Sequence, residues 1–258
     1  MKINVCIKQV PDPEKFPVGQ FNAAGRLARD SFPKATNPLD KNACELALNL
    51  SDVPEDVTAF SMGPESVKET LREALAMGIG NAVLINDQEL EGSDLLSTAI
   101  TLASAMKKHG EFDIIVCGAK STDAEMGILP AMIADILNIP SVLGAEKVRV
   151  EGNNAYVSVP SENGTNVWKV NLPCVVSVTK NINTPRLPSL RGMNKAMKIP
   201  ITEYTADDLD LELPDAKPKL LEHTPVSTQS QIEFIKGESA DEIANKLITA
   251  IKMKGVLS

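Results

Sequence analysis

A chain of 258 residues, 43% of them hydrophobic, with a mean hydropathy of −0.05, is long and apolar enough to bury its own core, which excludes wholesale disorder. No apolar run approaches the ~18 residues of a membrane span. The net charge of −8 and an aromatic content of 3% argue against nucleic acid, whose binders carry basic surfaces and, for single strands, stacking rings.

Residues 2–7 read as a short apolar strand with no signal core or cleavage site, so the expectation is a chain that stays in the cytoplasm. A loop rich in Pro, Gly and charge follows to about residue 36, a length at which loops carry function. Asn37-Pro38-Leu39-Asp40 predicts a helix start, with Asn37 as the cap, Pro38 in first position and Asp40 in the first turn. Residues 57–62 form the second strand, ended by Gly63-Pro64. Val67, Leu71, Ala74 and Leu75 then mark a helix that Gly78 closes. Residues 82–85 are a third strand, and 94–108 a helix with Leu95, Ala99, Leu102 and Met106 inward. His109 is expected as a cation at that helix end. Residues 112–117 are a fourth strand, 128–137 a helix and 140–143 extended.

Strands alternating with helices predict parallel crossovers, hence a doubly wound, mainly parallel α/β sheet of Rossmann-like type. Ligands of such sheets lie outside the carboxyl ends of the strands at a switch in strand order. The loops at Cys6 to Lys8, at Met62 to Pro64 and over 118–127 are therefore the candidate floor.

The second half changes character. Alternating residues on either side of Glu151-Gly152-Asn153-Asn154 signal a β-hairpin, and Val167-Trp168-Lys169-Val170 adds a strand, together an insertion over about 146–171. Residues 173–179 return to the main sheet and close an α/β domain over 1–180. The remainder, 181–258, reads as an extended arm with little periodicity and a terminal helix. Ser239 and Glu242 form its capping box, and Ile243, Leu247, Ile248 and Ile251 share a face that its own core or a partner must cover.

Four cysteines, Cys6, Cys44, Cys117 and Cys174, lack C-x-x-C spacing and read as small buried hydrophobes. With His109 and His223 as the only histidines, no Ser/His/Asp or Cys/His group assembles, which weakens a catalytic reading. Two loops carry chemical content. Gly118-Ala119-Lys120-Ser121-Thr122-Asp123-Ala124-Glu125-Met126-Gly127 joins a buried strand to a helix start, where backbone N–H groups suit an anion. It is neither a Walker A loop nor G-x-G-x-x-G, and by itself such a stretch is more often an ordinary connection. Asn183-Thr184-Pro185-Arg186-Leu187-Pro188-Ser189-Leu190-Arg191-Gly192-Met193 is either a crossing loop with its apolar residues tucked under, or a docking loop with an apolar anchor in a basic rim.

Together these segments resemble the beta subunit of electron transfer flavoproteins. The resemblance rests on Val5-Cys6-Ile7-Lys8-Gln9-Val10-Pro11-Asp12, Gly25-Arg26-Leu27-Ala28-Arg29-Asp30, Asn37-Pro38 and Ser61-Met62-Gly63-Pro64. Leu172-Pro173-Cys174-Val175-Val176, Asn183-Thr184-Pro185-Arg186, Gly192 and Lys195-Ala196 continue it over nearly the whole chain. It implies an electron carrier rather than an enzyme with its own substrate chemistry, paired with an alpha subunit that holds most of a shared FAD. It also implies an adenine nucleotide in this chain, AMP or, in flavin-bifurcating relatives, a second FAD. The implied cofactor contacts are Cys6, Asn37, Pro38, Leu39, Asp40, Met62, Gly118, Ser121, Thr122, Asp123, Glu125, Met126 and Gly127. Met126 stands where a hydroxyl is common in the family, and Glu125 would repel a phosphate unless it points away. A flavin dehydrogenase is expected to dock through Arg186, Leu190 and Arg191, and the terminal helix to pack on alpha. A stand-alone adenine-nucleotide sensor is the rival class; it would not need the arm beyond Asn181.

Overall fold

The computed structural model describes residues 1–15, 31–214 and 232–255. Within the first of two compact units, Met1–Leu221, seven parallel strands form the central sheet. They are β1 (Ile3–Cys6), β4 (Val57–Met62), β5 (Asn81–Ile85), β6 (Ile114–Gly118), β7 (Ser141–Ala145), β11 (Cys174–Val178) and β12 (Thr202–Tyr204), in the order β12-β5-β4-β1-β6-β11-β7. The chain moves outward from β1 through β4 and β5, then returns to place β6 on the other side of β1. Order reverses between β1 and β6, in register Ile3↔Ile114 to Cys6↔Cys117.

Alternation along each strand sorts two cores. Ile3, Val5, Val57, Ala59, Ile114 and Val116 face α1 (Pro38–Leu50) and α2 (Lys68–Met77). Cys6, Phe60, Ile115 and Cys117 face α3 (Leu95–His109) and α4 (Leu129–Leu137). These strands are buried on both faces, as parallel strands under helices must be. The doubly wound α/β expectation is met. All four cysteines are buried and unpaired.

β8 (Lys147–Glu151), β9 (Asn154–Ser161) and β10 (Gly164–Asn171) form a separate antiparallel sheet between β7 and β11, with Ala155 and Val157 packed into the core. Part of the long early loop is clasped by an antiparallel pair, β2 (Gln9–Pro11) and β3 (Lys34–Thr36). The Gly25 to Asp30 motif and His223 lie outside the described residues.

One expectation is corrected. The arm is not merely extended: it contains α5 (Leu190–Ala196) and β12, which pairs parallel to β5. The expectation of a cationic His109 at that helix end is weakened as well. Burial pulls its pKa down from the ordinary value, and its ring stands edge-on to Phe60 at 5.4 Å. Lys107 and Lys108 supply the charge to that last turn.

The second unit contains α6 (Ala240–Met253). Ser239 caps it, with Glu242 N donating to Ser239 Oγ at 3.2 Å, while the Glu242 carboxylate accepts from Glu238 N at 2.8 Å, one residue before the usual capping-box partner. None of its residues is buried, and Ile243, Leu247 and Ile248 are exposed. No helix among the described residues is long and apolar enough to cross a membrane.

Candidate functional site

The carboxyl edge at the β1/β6 switch is built around the first turn of α1. Asn37 occupies the cap position, but its side chain makes no capping hydrogen bond. Its Nδ2 instead donates to Lys120 O at 3.0 Å, and its Oδ1 accepts from Thr122 N at 3.2 Å. An amide has a donor end and an acceptor end, so it satisfies both a carbonyl and an N–H of the 118–127 loop, where capping would use only the oxygen. Asn37 thereby pins that loop to α1.

Asp40 points back to the switch. Its Oδ2 accepts from Lys8 N at 2.8 Å, and the Gly118 N–H also donates to the carboxyl group. A Cβ on Gly118 would overlap Asp40 Oδ1 and crowd Leu39. Gly118 is therefore required for α1 to seat on β6, and a Gly118→Val change would disturb that seat before it touched any ligand.

Burial pushes the Asp40 pKa up to about 7, against the opposing hydrogen bonds from Asn37, Lys8 and Gly118. The folded chain holds this proton to near neutrality, whereas an unfolded Asp releases it near pH ~4. Stability should therefore fall as pH rises between about 4 and 7, by a total on the order of 4 kcal/mol. Asp40→Asn, which cannot ionise, is expected to flatten this dependence when melting temperature is followed from pH 4 to 8. An unchanged slope would overturn the assignment.

Lys8 closes the other side. Its Nζ lies 2.7 and 2.8 Å from the two carboxylate oxygens of Asp123 and 3.4 Å from Ser121 Oγ. The Asp123 side chain is 1% exposed and that of Lys8 41%, so the ammonium sits at the rim above a buried carboxylate. Glu125 is exposed, adopts φ +52° and pairs with Lys120 Nζ at 3.0 Å, which balances its charge. Met126 is exposed, and Gly127 takes φ +68° on entry to α4. Cys6 and Cys117 are neighbours beneath the edge, and a hydrogen bond that the Cys117 thiol donates to Cys6, with burial, raises the Cys117 thiol pKa. Met62, half-buried, ends β4 beside them.

The structure thus brings Cys6, Asn37, Pro38, Leu39, Asp40, Gly118, Ser121, Thr122 and Asp123 to one edge. Lys8, which the sequence places in the floor of this edge but not among the implied cofactor contacts, closes the site. A cation directly after the first strand, at an edge where ligands bind, was the available signal.

The segment over 183–193 divides. Arg186 forms a bidentate pair with Glu45, Nε–Oε2 2.7 Å and Nη2–Oε1 2.9 Å, and its own N–H donates to Glu45 Oε2 at 3.1 Å. Arg186 therefore fastens the segment to α1 instead of standing free at a rim. The guanidinium holds the Glu45 pKa below its ordinary value. Ser189 caps α5 by accepting from Gly192 N at 3.0 Å. Leu190, Met193 and Met197 follow at i, i+3 and i+7 and form one helical stripe, while Leu187 lies before the helix. Leu187 and Leu190 are 90% and 80% exposed, and Arg191 is exposed beside them.

Comparison with known proteins adds relatives to this geometry. Residues 25–209 match the electron transfer flavoprotein domain. An electron transfer flavoprotein subunit beta of Megasphaera elsdenii is 37% identical over 233 residues, 85% of this chain and 86% of that protein. One of Clostridium acetobutylicum is 38% identical over 213 residues, 82% of this chain and 81% of the relative. The caffeyl-CoA reductase-Etf complex subunit CarD of Acetobacterium woodii is 33% identical and aligns over 100% of both chains.

Proposed function

Because this chain belongs to the electron transfer flavoprotein beta-subunit family, we propose that it serves as one half of an FAD-bearing carrier, with an alpha subunit as the other half and a structural AMP at its own carboxyl edge. The FAD, held mainly by alpha, supplies the redox chemistry, taking electrons from a flavin dehydrogenase and passing them to an acceptor. This chain's residues bind, orient and dock; none needs to make or break a substrate bond.

The observation that carries the nucleotide assignment is the small-residue loop over 118–127, pinned by Asn37 and facing Lys8. The residues fit an adenine nucleotide. Ala119 and Ser121 are small enough for close approach, the start of α4 favours an anion, and Lys8 brings a partly exposed side chain to the rim. Glu125 is drawn to Lys120, which relieves the repulsion its charge would exert. Lys8 and Lys120 are already matched by Asp123 and Glu125, so the loop has little surplus positive charge. Asp40 holds β1, β6 and α1 in register beneath the loop.

The exposed face of α6 is assigned to alpha, and the stripe around Leu190 to the dehydrogenase. The test of the cofactor assignment is direct. The chain is co-expressed with its alpha subunit, the purified pair is denatured, and the released ligands are identified and counted. One FAD and one AMP per pair are expected. Two FAD and no AMP would replace AMP with a second flavin, as in a bifurcating carrier; no adenine nucleotide beyond the shared FAD would remove the site.

A further inference from the structure

α5 is only seven residues long, well below the length at which an isolated helix is stable in water, yet it presents the exposed Leu190 stripe. Three contacts, all to residues distant in sequence, account for its form. At its C-terminal end, Arg72 of α2 donates from Nη1 to the carbonyls of both Ala196 and Ile199, capping groups that the helix leaves unmatched. At its middle, Gly192 lies against the end of α2, where a Cβ would overlap the Ala76 carbonyl oxygen. Before its start, Asn42 Nδ2 donates to Asn183 O at 2.9 Å and Asn183 Nδ2 returns a bond to Asn42 O at 3.0 Å, next to the Glu45–Arg186 pair.

We propose that Arg72 and Glu45 are positioning residues for electron transfer: they clamp both ends of the short helix so that Leu190 is held ready for the incoming dehydrogenase. Neither residue belongs to the exposed stripe. Both act through α5, Arg72 on its last carbonyls and Glu45 on the strap that leads into it. A partner that meets a preformed anchor is spared the cost of ordering it. If loss of a clamp lowers the docking-competent population to about a tenth, the apparent affinity falls about tenfold with no change in intrinsic contacts. The inference rests on the proposed docking role of Leu190.

The experiment uses the pair of this chain with alpha, and as electron donor the flavin dehydrogenase from the same cells that reduces this pair. Arg72→Met and Glu45→Gln are each made alone and together with Leu190→Ala. Expected for Arg72→Met are a rise of about tenfold in KM for the dehydrogenase, kcat near that of the parent, and unchanged flavin content and flavin potential. Hydrogen exchange should quicken at residues 190–197 and not in the central sheet. Glu45→Gln, which keeps a neutral hydrogen bond, should give a smaller rise, and Arg72→Lys should restore part of the loss.

In the Leu190→Ala background the clamp variants should add little, because the anchor they position is gone. Additive losses would make them general structural residues and overturn the inference. So would an unchanged KM or unchanged exchange in Arg72→Met while Leu190→Ala alone is impaired. An unimpaired Leu190→Ala would instead remove the docking role itself, which separates the two failures.

Discussion

Leu247→Asp is expected to prevent stable pairing with alpha and to empty the shared flavin site. Ile243, Leu247 and Ile248 are 38%, 47% and 46% exposed on one side of α6, and no residue of that helix is buried. A helix of this length is marginal by itself in water, so its stability must come from whatever covers the apolar face. An unpaired carboxylate in the middle of that cover costs several kcal/mol, enough to dissociate a modest interface. Size-exclusion chromatography should show separate subunits, with flavin absorbance lost from the protein fraction. Thr249→Asp, about 200° from Leu247 and about 240° from Ile243 around the helix at ~100° per residue, should pair normally and keep its flavin. Normal pairing of Leu247→Asp would mean that this face contributes nothing to assembly.

The second large effect is expected at Leu190. Covering an exposed leucine is worth roughly 1.5–3 kcal/mol. Its truncation should therefore weaken docking by roughly 10- to 150-fold, at ~1.4 kcal/mol per decade. Leu190→Ala is assayed for electron transfer at sub-saturating dehydrogenase, with flavin content and potential measured on the same sample. Arg191→Gln should act mostly on encounter rate and on its salt dependence. Arg186→Gln should behave differently, because Arg186 is tied to Glu45 and its loss would loosen the segment at any ionic strength. Unchanged transfer by Leu190→Ala would show that the leucine is not an anchor, and a loss that tracks with lost flavin would give it a structural role instead.

Wherever residues near in sequence determined the structure, the sequence alone was enough to read it. Residues 2–7 are a short apolar run, and Leu71, Ala74 and Leu75 repeat at helical spacing. These patterns mark strand and helix, and the alternation of the two along the chain requires parallel crossovers. The carboxyl edge of such a sheet is then the place to look for a ligand, which singles out the 118–127 loop, whereas Asn37 enters the site only through the family resemblance.

What the sequence left open was decided across distance. Asp123 meets Lys8 from 115 positions away, and Arg186 meets Glu45 from 141. No local pattern encodes such partners; the order of the strands brings them together. The Asn37 side chain abandons its cap because the folded loop offers a carbonyl and an N–H at once. β12 is three residues of polar character and becomes a strand because the edge of β5 is there to pair with it. α5 is too short for its period to stand out, and takes its place because Arg72 and the Ala76 end of α2 receive its C-terminal end and its back. Short elements bury too little of themselves to fix their own form, so their conformation belongs to the surface that receives them.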